Sequence, residues 1–192
     1  MSDFIPVCDR PIVFLDCETS HLDPRIGEML EFAAINGTTG ETLTFKLIPR
    51  RIEAAHPKAL EVNGFDAAEW ALTAIPLSEA APRMAAFLRG AVLVGHNVRF
   101  DMGFVEATLA EAGIVERFDH HLIDTCAIAY FLLGHELASL SLKPVCVALG
   151  IEPEPDMHRA MAGARACKAV YEALQAMRAP VADRHCQAVI RR

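Results

Sequence analysis

The sequence predicts an α/β protein in which a mixed five-stranded sheet, an antiparallel meander plus parallel strands, is flanked by helices. Two observations support this fold class. Three strand-like segments joined by short links come first, and short links are typical of antiparallel neighbours. After residue 56, helical segments alternate with short apolar runs, the order typical of parallel strands joined by helices. A chain of 192 residues with 53% hydrophobic residues can bury one sizeable core.

The first three strands are predicted from apolar runs and alternation. Residues 12–15 (IVFL) form a continuous apolar run, which is typical of a strand covered on both faces. Residues 29–36 (MLEFAAIN) predict a second strand, and residues 41–48 (ETLTFKLI) alternate as a half-exposed strand does. A loop over 20–28 and a turn over 37–40 connect them.

The remaining elements are predicted from caps, stops and buried runs. A short helix over 57–63 stops at Gly64, and Ser78 is expected to cap a helix over 79–89. The later elements are a strand at 91–95, a helix at 102–112, a strand at 122–125, and helices at 125–133, 139–149 and 157–177. We expect residues 1–179 to form one domain and residues 180–192 a C-terminal tail.

Composition excludes several classes of function. A formal net charge of −7 argues against sequence-independent coating of a nucleic-acid backbone, although a small site with metal ions stays possible. No apolar run approaches the ~20 residues of a membrane span, and the start MSDFIP lacks the pattern of a secretory signal. Six cysteines without a C-x-x-C pair predict reduced thiols. We therefore expect a cytoplasmic protein without a membrane partner.

Two acids at the end of the first strand are the first candidate site. Asp16 and Glu18 are two residues apart, so an extended chain projects both from one face, roughly 6–7 Å apart. Like charges beside an apolar core repel, and Mg²⁺ or Mn²⁺ between them would relieve that repulsion. A solvated turn is the alternative explanation of these residues alone.

Three separated segments together carry a family resemblance: DCET at 16–19, HNVRFD at 96–101 and HRAMA at 158–162. Their order and spacing resemble those of the DEDDh 3′–5′ exonucleases, the superfamily of RNase T and DnaQ-type proofreading subunits, which has an RNase H-like fold. The resemblance covers roughly residues 12–177, and IDT at 123–125 supports it.

The resemblance implies roles for the matching residues. Asp16, Glu18 and Asp101 would bind metal, Mg²⁺ or Mn²⁺ in a two-metal site, and His158 would deprotonate the attacking water. A simple helix cap is the alternative for Asp101. Substrate contacts are implied for Thr19, Leu22, His96, Asn97 and Phe100. For Asn97 a structural role is favoured over a catalytic one.

The sequence departs from the family at the last motif. An aspartate is expected five residues after the histidine, and Gly163 stands there. Glycine offers no side-chain ligand, and in a helix it costs ~0.5–1 kcal/mol relative to alanine. Glu154 and Asp156 are the alternative acids nearby. A natural glycine and an introduced one are both compatible with the sequence.

A second departure lies directly after the first motif. His21 stands where relatives often have glycine. This residue could contact the 3′ end of a strand or simply be exposed, and we expect it to be exposed.

The expected function is metal-dependent 3′–5′ exonuclease activity on phosphodiesters at the 3′ end of single-stranded DNA or RNA. The missing carboxylate predicts weakened activity, with at least one ion still held. The alternative is an impaired module of the same fold that binds nucleic-acid 3′ ends or a polymerase or other partner protein. A homodimer is a further expectation from the superfamily.

Overall fold

A computed structural model describes residues 9–153 and 157–177. Its five-stranded sheet has the order β3-β2-β1-β4-β5. The β1–β2 and β2–β3 pairs are antiparallel, and the β1–β4 and β4–β5 pairs are parallel. The strands are β1 (Ile12–Thr19), β2 (Met29–Asn36), β3 (Thr42–Lys46), β4 (Val92–Gly95) and β5 (Ile123–Asp124). The predicted mixed sheet is confirmed.

Helices cover both faces of this sheet. They are α1 (Pro57–Val62), α2 (Ala67–Thr73), α3 (Leu77–Leu88), α4 (Val98–Glu111), α5 (Thr125–Leu133), α6 (Leu142–Ala148) and α7 (Ala160–Ala176), with a 3₁₀ turn at Ile52–Ala54. Within the described ranges, no helix combines the length and the apolar composition needed to cross a membrane.

The alternation of side chains along β1 divides the core into two layers. Val13, Leu15 and Cys17 pack against α3 and α4 on one face. Phe14 lies on the other face, in a cluster with residues of α7. Because successive strand residues point to opposite faces, Asp16 and Glu18 lie on the α7 side with Phe14. The alternation of side chains along β1 therefore places the two acids on the face that α7 covers.

Several predicted boundaries were wrong. The first strand continues through both acids to Thr19. Helix α2 was not predicted, and α3 begins directly after Pro76, so Ser78 is not its cap. The reason is tertiary: Ile75 forms a bridge with Leu47, and the chain turns into the helix immediately after it.

The fourth helix also begins earlier than predicted. Asn97 adopts a left-handed conformation with φ of 66°, which lets α4 begin at Val98. Asp101 therefore lies in the first turn of the helix and is not its cap. Helix α6 starts at Leu142 and α7 at Ala160, both later than predicted. Glu154, Asp156 and the predicted tail 180–192 lie outside the described residues.

The cysteines in the described ranges carry free thiols. They are Cys17, Cys126, Cys146 and Cys167.

The central parallel strand offers a direct test of the core. Leu93 of β4 is 1% exposed, whereas Leu72 of α2 is 87% exposed. We expect Leu93→Ala to lower the free energy of unfolding by about 2–5 kcal/mol because it leaves a cavity. Leu72→Ala should change it by less than ~0.5 kcal/mol. Urea denaturation of both variants measures the difference, and equal losses would contradict this core assignment.

Candidate active site

A cavity of about 500 Å³ opens at the end of β1. Its walls include Asp16, Glu18, Asp101 and His158, which come from three separated segments of the chain. The structure therefore brings together the four residues that the sequence motifs singled out as metal ligands and general base.

The two strand acids are presented by an overhang of β1. The parallel pairing of β1 with β4 covers only residues 12–14, so the last residues of β1 extend past β4. Asp16 is half-buried and Glu18 is 7% exposed. On the neighbouring strand, Glu31 lies directly opposite Glu18. The overhang thus holds carboxylates at the edge of the core without a strand on one side.

Asp101 fills the space beside that overhang. Its Oδ1 accepts hydrogen bonds from the backbone N–H of Cys17 at 3.0 Å and from the Cys17 thiol at 3.1 Å. The side chain is only 3% exposed. Burial raises the pKa of Asp101 to about 7, and the bonds from Cys17 offset this only in part. Burial and the charge of Asp101 raise the pKa of the Cys17 thiol well above its usual range.

The segment that carries His158 is anchored from both sides. The backbone N–H of His158 donates to the carbonyl of Val62 at 3.1 Å. The next side chain, Arg159, donates to the carbonyl of Asn63 at 3.1 Å and lies 3.8 Å from the Glu31 carboxylate. Burial raises the pKa of Glu31. His158 itself is exposed to the cavity, so its backbone is fixed while its ring stays accessible.

Gly163 of α7 lies against Asp16. A Cβ atom built on Gly163 would lie 2.7 Å from Cγ of Asp16, closer than real Cβ atoms approach a neighbour. The carboxyl group of Asp16 therefore fills the space in which a side chain at position 163 would begin. Position 163 faces Asp16, and a larger residue there requires Asp16 to rotate.

The expected substrate contacts fall into two groups. Thr19, Leu22 and Phe100 line the cavity, and Leu22 is 80% exposed. The hydroxyl of Thr19 donates to the carbonyl of His21 at 2.9 Å. An apolar side chain this exposed beside the cavity is available to contact a planar ligand.

His96 and Asn97 are engaged by the protein. His96 lines the cavity, but Nδ1 lies 2.9 Å from Oγ1 of Thr125 and Nε2 lies 2.6 Å from the carbonyl of Leu140. Burial lowers the pKa of His96. Asn97 is not among the cavity-lining residues, and its backbone N–H donates to the Asp124 carboxylate. Both residues fix the turn from β4 into α4.

Sequence reasoning missed one wall of the cavity. This wall is formed by His21, His56, Lys58 and Asn63. The expectation that His21 is exposed was wrong: it is half-buried, because the Gly27 backbone and the His56 ring pack against it. Pro57 marks a helix start in the sequence, but no local signal links that helix to the acids.

The donor chemistry of the cavity fits a hard divalent cation. Asp16, Glu18 and Asp101 offer only oxygen ligands, which Mg²⁺ and Mn²⁺ prefer. These acids do not form a compact trio within the described residues, so a bound ion would keep water ligands, as Mg²⁺ usually does.

One compact trio does exist elsewhere, and it is unsuited to a metal. Asp119, His120 and His121 have ligand atoms within 4.8 Å of one another. However, the Asp119 carboxylate already accepts from Arg10 and from His121. The described chain therefore offers its oxygen-rich site in the cavity.

Comparison with solved structures identifies proteins that share this fold. Exonuclease I from E. coli, in a zinc-bound complex with single-stranded DNA, superposes with a TM-score of 0.75 over 88% of this chain at 21% identity. That match covers 41% of exonuclease I and shows a shared fold.

The family follows from the sequence itself. The exonuclease (RNase T) family model matches residues 13–171, and the chain belongs to this family. PolC-type DNA polymerase III from Thermotoga maritima is 29% identical over 172 residues, which cover 89% of this chain but 12% of the polymerase. Ribonuclease T from Salmonella typhimurium is 28% identical over 170 residues, covering 76% of this chain and 77% of that enzyme.

The buried acid predicts a pH-dependent stability when divalent ions are removed. The folded protein holds the Asp101 proton up to about pH 7, whereas the ordinary pKa of an unfolded aspartate is 3.8. The free energy of unfolding in EDTA should therefore fall as pH rises through this window. Asp101→Asn removes this titration and keeps an oxygen to accept from Cys17, so its stability should fall less.

Thermal unfolding in EDTA between these pH values measures the effect. The advantage of Asp101→Asn over the unmodified protein should grow with pH and level off above pH 7. Glu106→Gln, at an exposed position on α4, is the matched control and should give no such trend. Parallel profiles for all three proteins would contradict the assigned pKa.

Proposed function

We propose that this protein is a metal-dependent 3′–5′ exonuclease that removes nucleotides from single-stranded DNA or RNA. The observation that carries the proposal is the convergence of Asp16, Glu18, Asp101 and His158 on one cavity. Family membership over residues 13–171 supports hydrolysis of nucleic acids. The single-stranded DNA in the exonuclease I complex supports the class of substrate.

The proposed chemistry assigns one task to each group. A divalent ion in this cavity would supply Lewis acidity toward the phosphate and the water. Asp16, Glu18 and Asp101 would hold the ion through oxygen ligands. The pKa of Asp101 is raised because burial without a cation disfavours the charged carboxylate. His158, with its ring at the cavity, would accept a proton from the attacking water.

We propose further that activity is weakened because position 163 offers no carboxylate. The closeness of Gly163 to Asp16 supports this, since a side chain there would start at the acids. The same observation favours the second candidate function, a module that binds 3′ ends or a polymerase without efficient turnover. The relatedness to a stretch of PolC-type polymerases supports a polymerase as the partner in that case.

Single-strand digestion distinguishes the two functions. With a 5′-labelled oligonucleotide and Mg²⁺ or Mn²⁺, we expect stepwise shortening from the 3′ end. Asp16→Ala should lower the rate by on the order of 10³-fold, because a misplaced ion loses several kcal/mol of transition-state stabilisation. Glu106→Ala, on the exposed face of α4, should leave the rate unchanged. Binding without shortening would favour the binding module instead.

Paired substitutions at position 163 separate ligand chemistry from steric effects. Gly163→Asp and Gly163→Ala both force Asp16 to rotate, but only aspartate adds an oxygen ligand. We expect Gly163→Asp to bind Mn²⁺ more tightly and hydrolyse faster than Gly163→Ala. Isothermal calorimetry with Mn²⁺ and the digestion rate measure this. Equal affinities and rates for the two variants would show that position 163 does not face the metal.

A further inference from the structure

The cavity is also lined by two imidazoles that the proposed chemistry does not use. His21 follows β1 and its ring lies 6.1 Å from the ring of His56, at an interplanar angle of 67°. Both residues line the cavity, beside the exposed side chain of Leu22. We infer that this pair binds a backbone phosphate of the single strand, on the 5′ side of the scissile linkage.

The hydrogen bonds of the two rings fix which nitrogen faces a ligand. Nδ1 of His21 accepts from the backbone N–H of Asp23 at 3.0 Å, and Nδ1 of His56 accepts from the backbone N–H of Lys58 at 3.2 Å. A neutral imidazole that accepts at Nδ1 carries its proton on Nε2. Each ring therefore presents an Nε2–H donor, the group that a phosphate oxygen needs.

The backbone holds the two rings together. The N–H of His56 donates to the carbonyl of Ser20 at 2.8 Å, so the residue before His21 is bonded to His56 itself. A Cβ atom on Gly27 would lie 2.8 Å from the backbone nitrogen of His21, which shows how closely Gly27 supports this loop. The amide of Asn63 donates to the carbonyl of Thr19 at 2.9 Å, which ties the other end of α1 to β1. The imidazole pair is thus built into the fold.

The charge distribution favours a phosphate as the ligand. The protein has a net charge of −7, and three acids line the same cavity as the imidazole pair. Among the described residues that line the cavity, the only lysine or arginine is Lys58, whose ammonium is paired with Glu61 at 2.8 Å. A polyanionic strand entering this cavity needs donors, and the imidazole pair supplies them next to Leu22.

This inference rests on the proposed function, and a variant that preserves the fold tests it. His21→Asn/His56→Asn keeps a short side chain that can accept the same backbone N–H groups and removes both Nε2–H donors. The probe is a fluorescent oligothymidylate with Ca²⁺ replacing Mg²⁺, and fluorescence anisotropy gives its affinity. We expect the double variant to bind on the order of 10²-fold more weakly, because each of the two lost hydrogen bonds to a charged group accounts for roughly 10-fold.

Uncharged linkages in the oligonucleotide show which backbone phosphate the imidazole pair binds. A single methylphosphonate, moved along successive linkages from the 3′ end, should weaken binding to the unmodified protein at one internal position. The same substitution should not weaken binding to the double variant any further. His135→Ala, at an exposed histidine outside the cavity, should bind every probe like the unmodified protein.

The outcomes separate the two proposals. The phosphate site is wrong if the double variant binds as tightly as the unmodified protein. It is also wrong if each methylphosphonate weakens binding to the double variant by the same factor as it weakens binding to the unmodified protein. Exonuclease activity can stand in either case. If the unmodified protein neither binds nor shortens the strand, the proposed function fails and the phosphate site fails with it.

Discussion

One buried hydrogen bond organises the site: the backbone N–H of Cys17 donates to the carboxyl group of Asp101. It exists because β4 ends before β1 does, which leaves the last residues of β1 without a partner strand on that side. A buried unpaired N–H is costly, and the first turn of α4 supplies the acceptor. The same bond therefore completes the strand and carries a third carboxyl group to the two acids of β1.

That arrangement concentrates like charges where water is scarce. Burial raises the pKa of Asp101, and the neighbouring Glu31 shows the same direction of shift. Glu31 is accompanied by Arg159, whereas the only lysine or arginine among the described residues that line the cavity is Lys58, which is paired with Glu61. The protein thus places its own cation beside Glu31, and it gathers three acids with oxygen ligands in the cavity. These oxygen ligands are the physical basis of the proposed metal site.

The sequence alone predicted the sheet and the pair of acids on β1 because both depend on local patterns, whereas Asp101 and His158 were assigned to the site from the resemblance to the exonuclease family. The period of two along β1 places Asp16 and Glu18 on one face, and the spacing of caps and apolar runs marks most helices. The histidine wall was missed because it depends on tertiary contacts: His56 joins the site through a bond to Ser20, and His21 is held in place by Gly27 and His56. The start of α4 was missed because it needs a left-handed Asn97, a conformation that asparagine tolerates but does not require.

Under the proposed function, the absence of a side chain at Gly163 would have two opposing effects, one on metal binding and one on strand binding. A fourth carboxylate would bind a cation more firmly, but it would also repel a polyanionic strand whenever the cation is absent. With glycine there, Asp16 takes up the free space, and the cavity that contains the His21–His56 pair carries one negative charge fewer than it would with a carboxylate at position 163. Under the proposed function, removing a carboxylate would therefore weaken metal binding while it favours the entry of phosphate. Position 163 would affect both binding and hydrolysis because Asp16 lies directly against it.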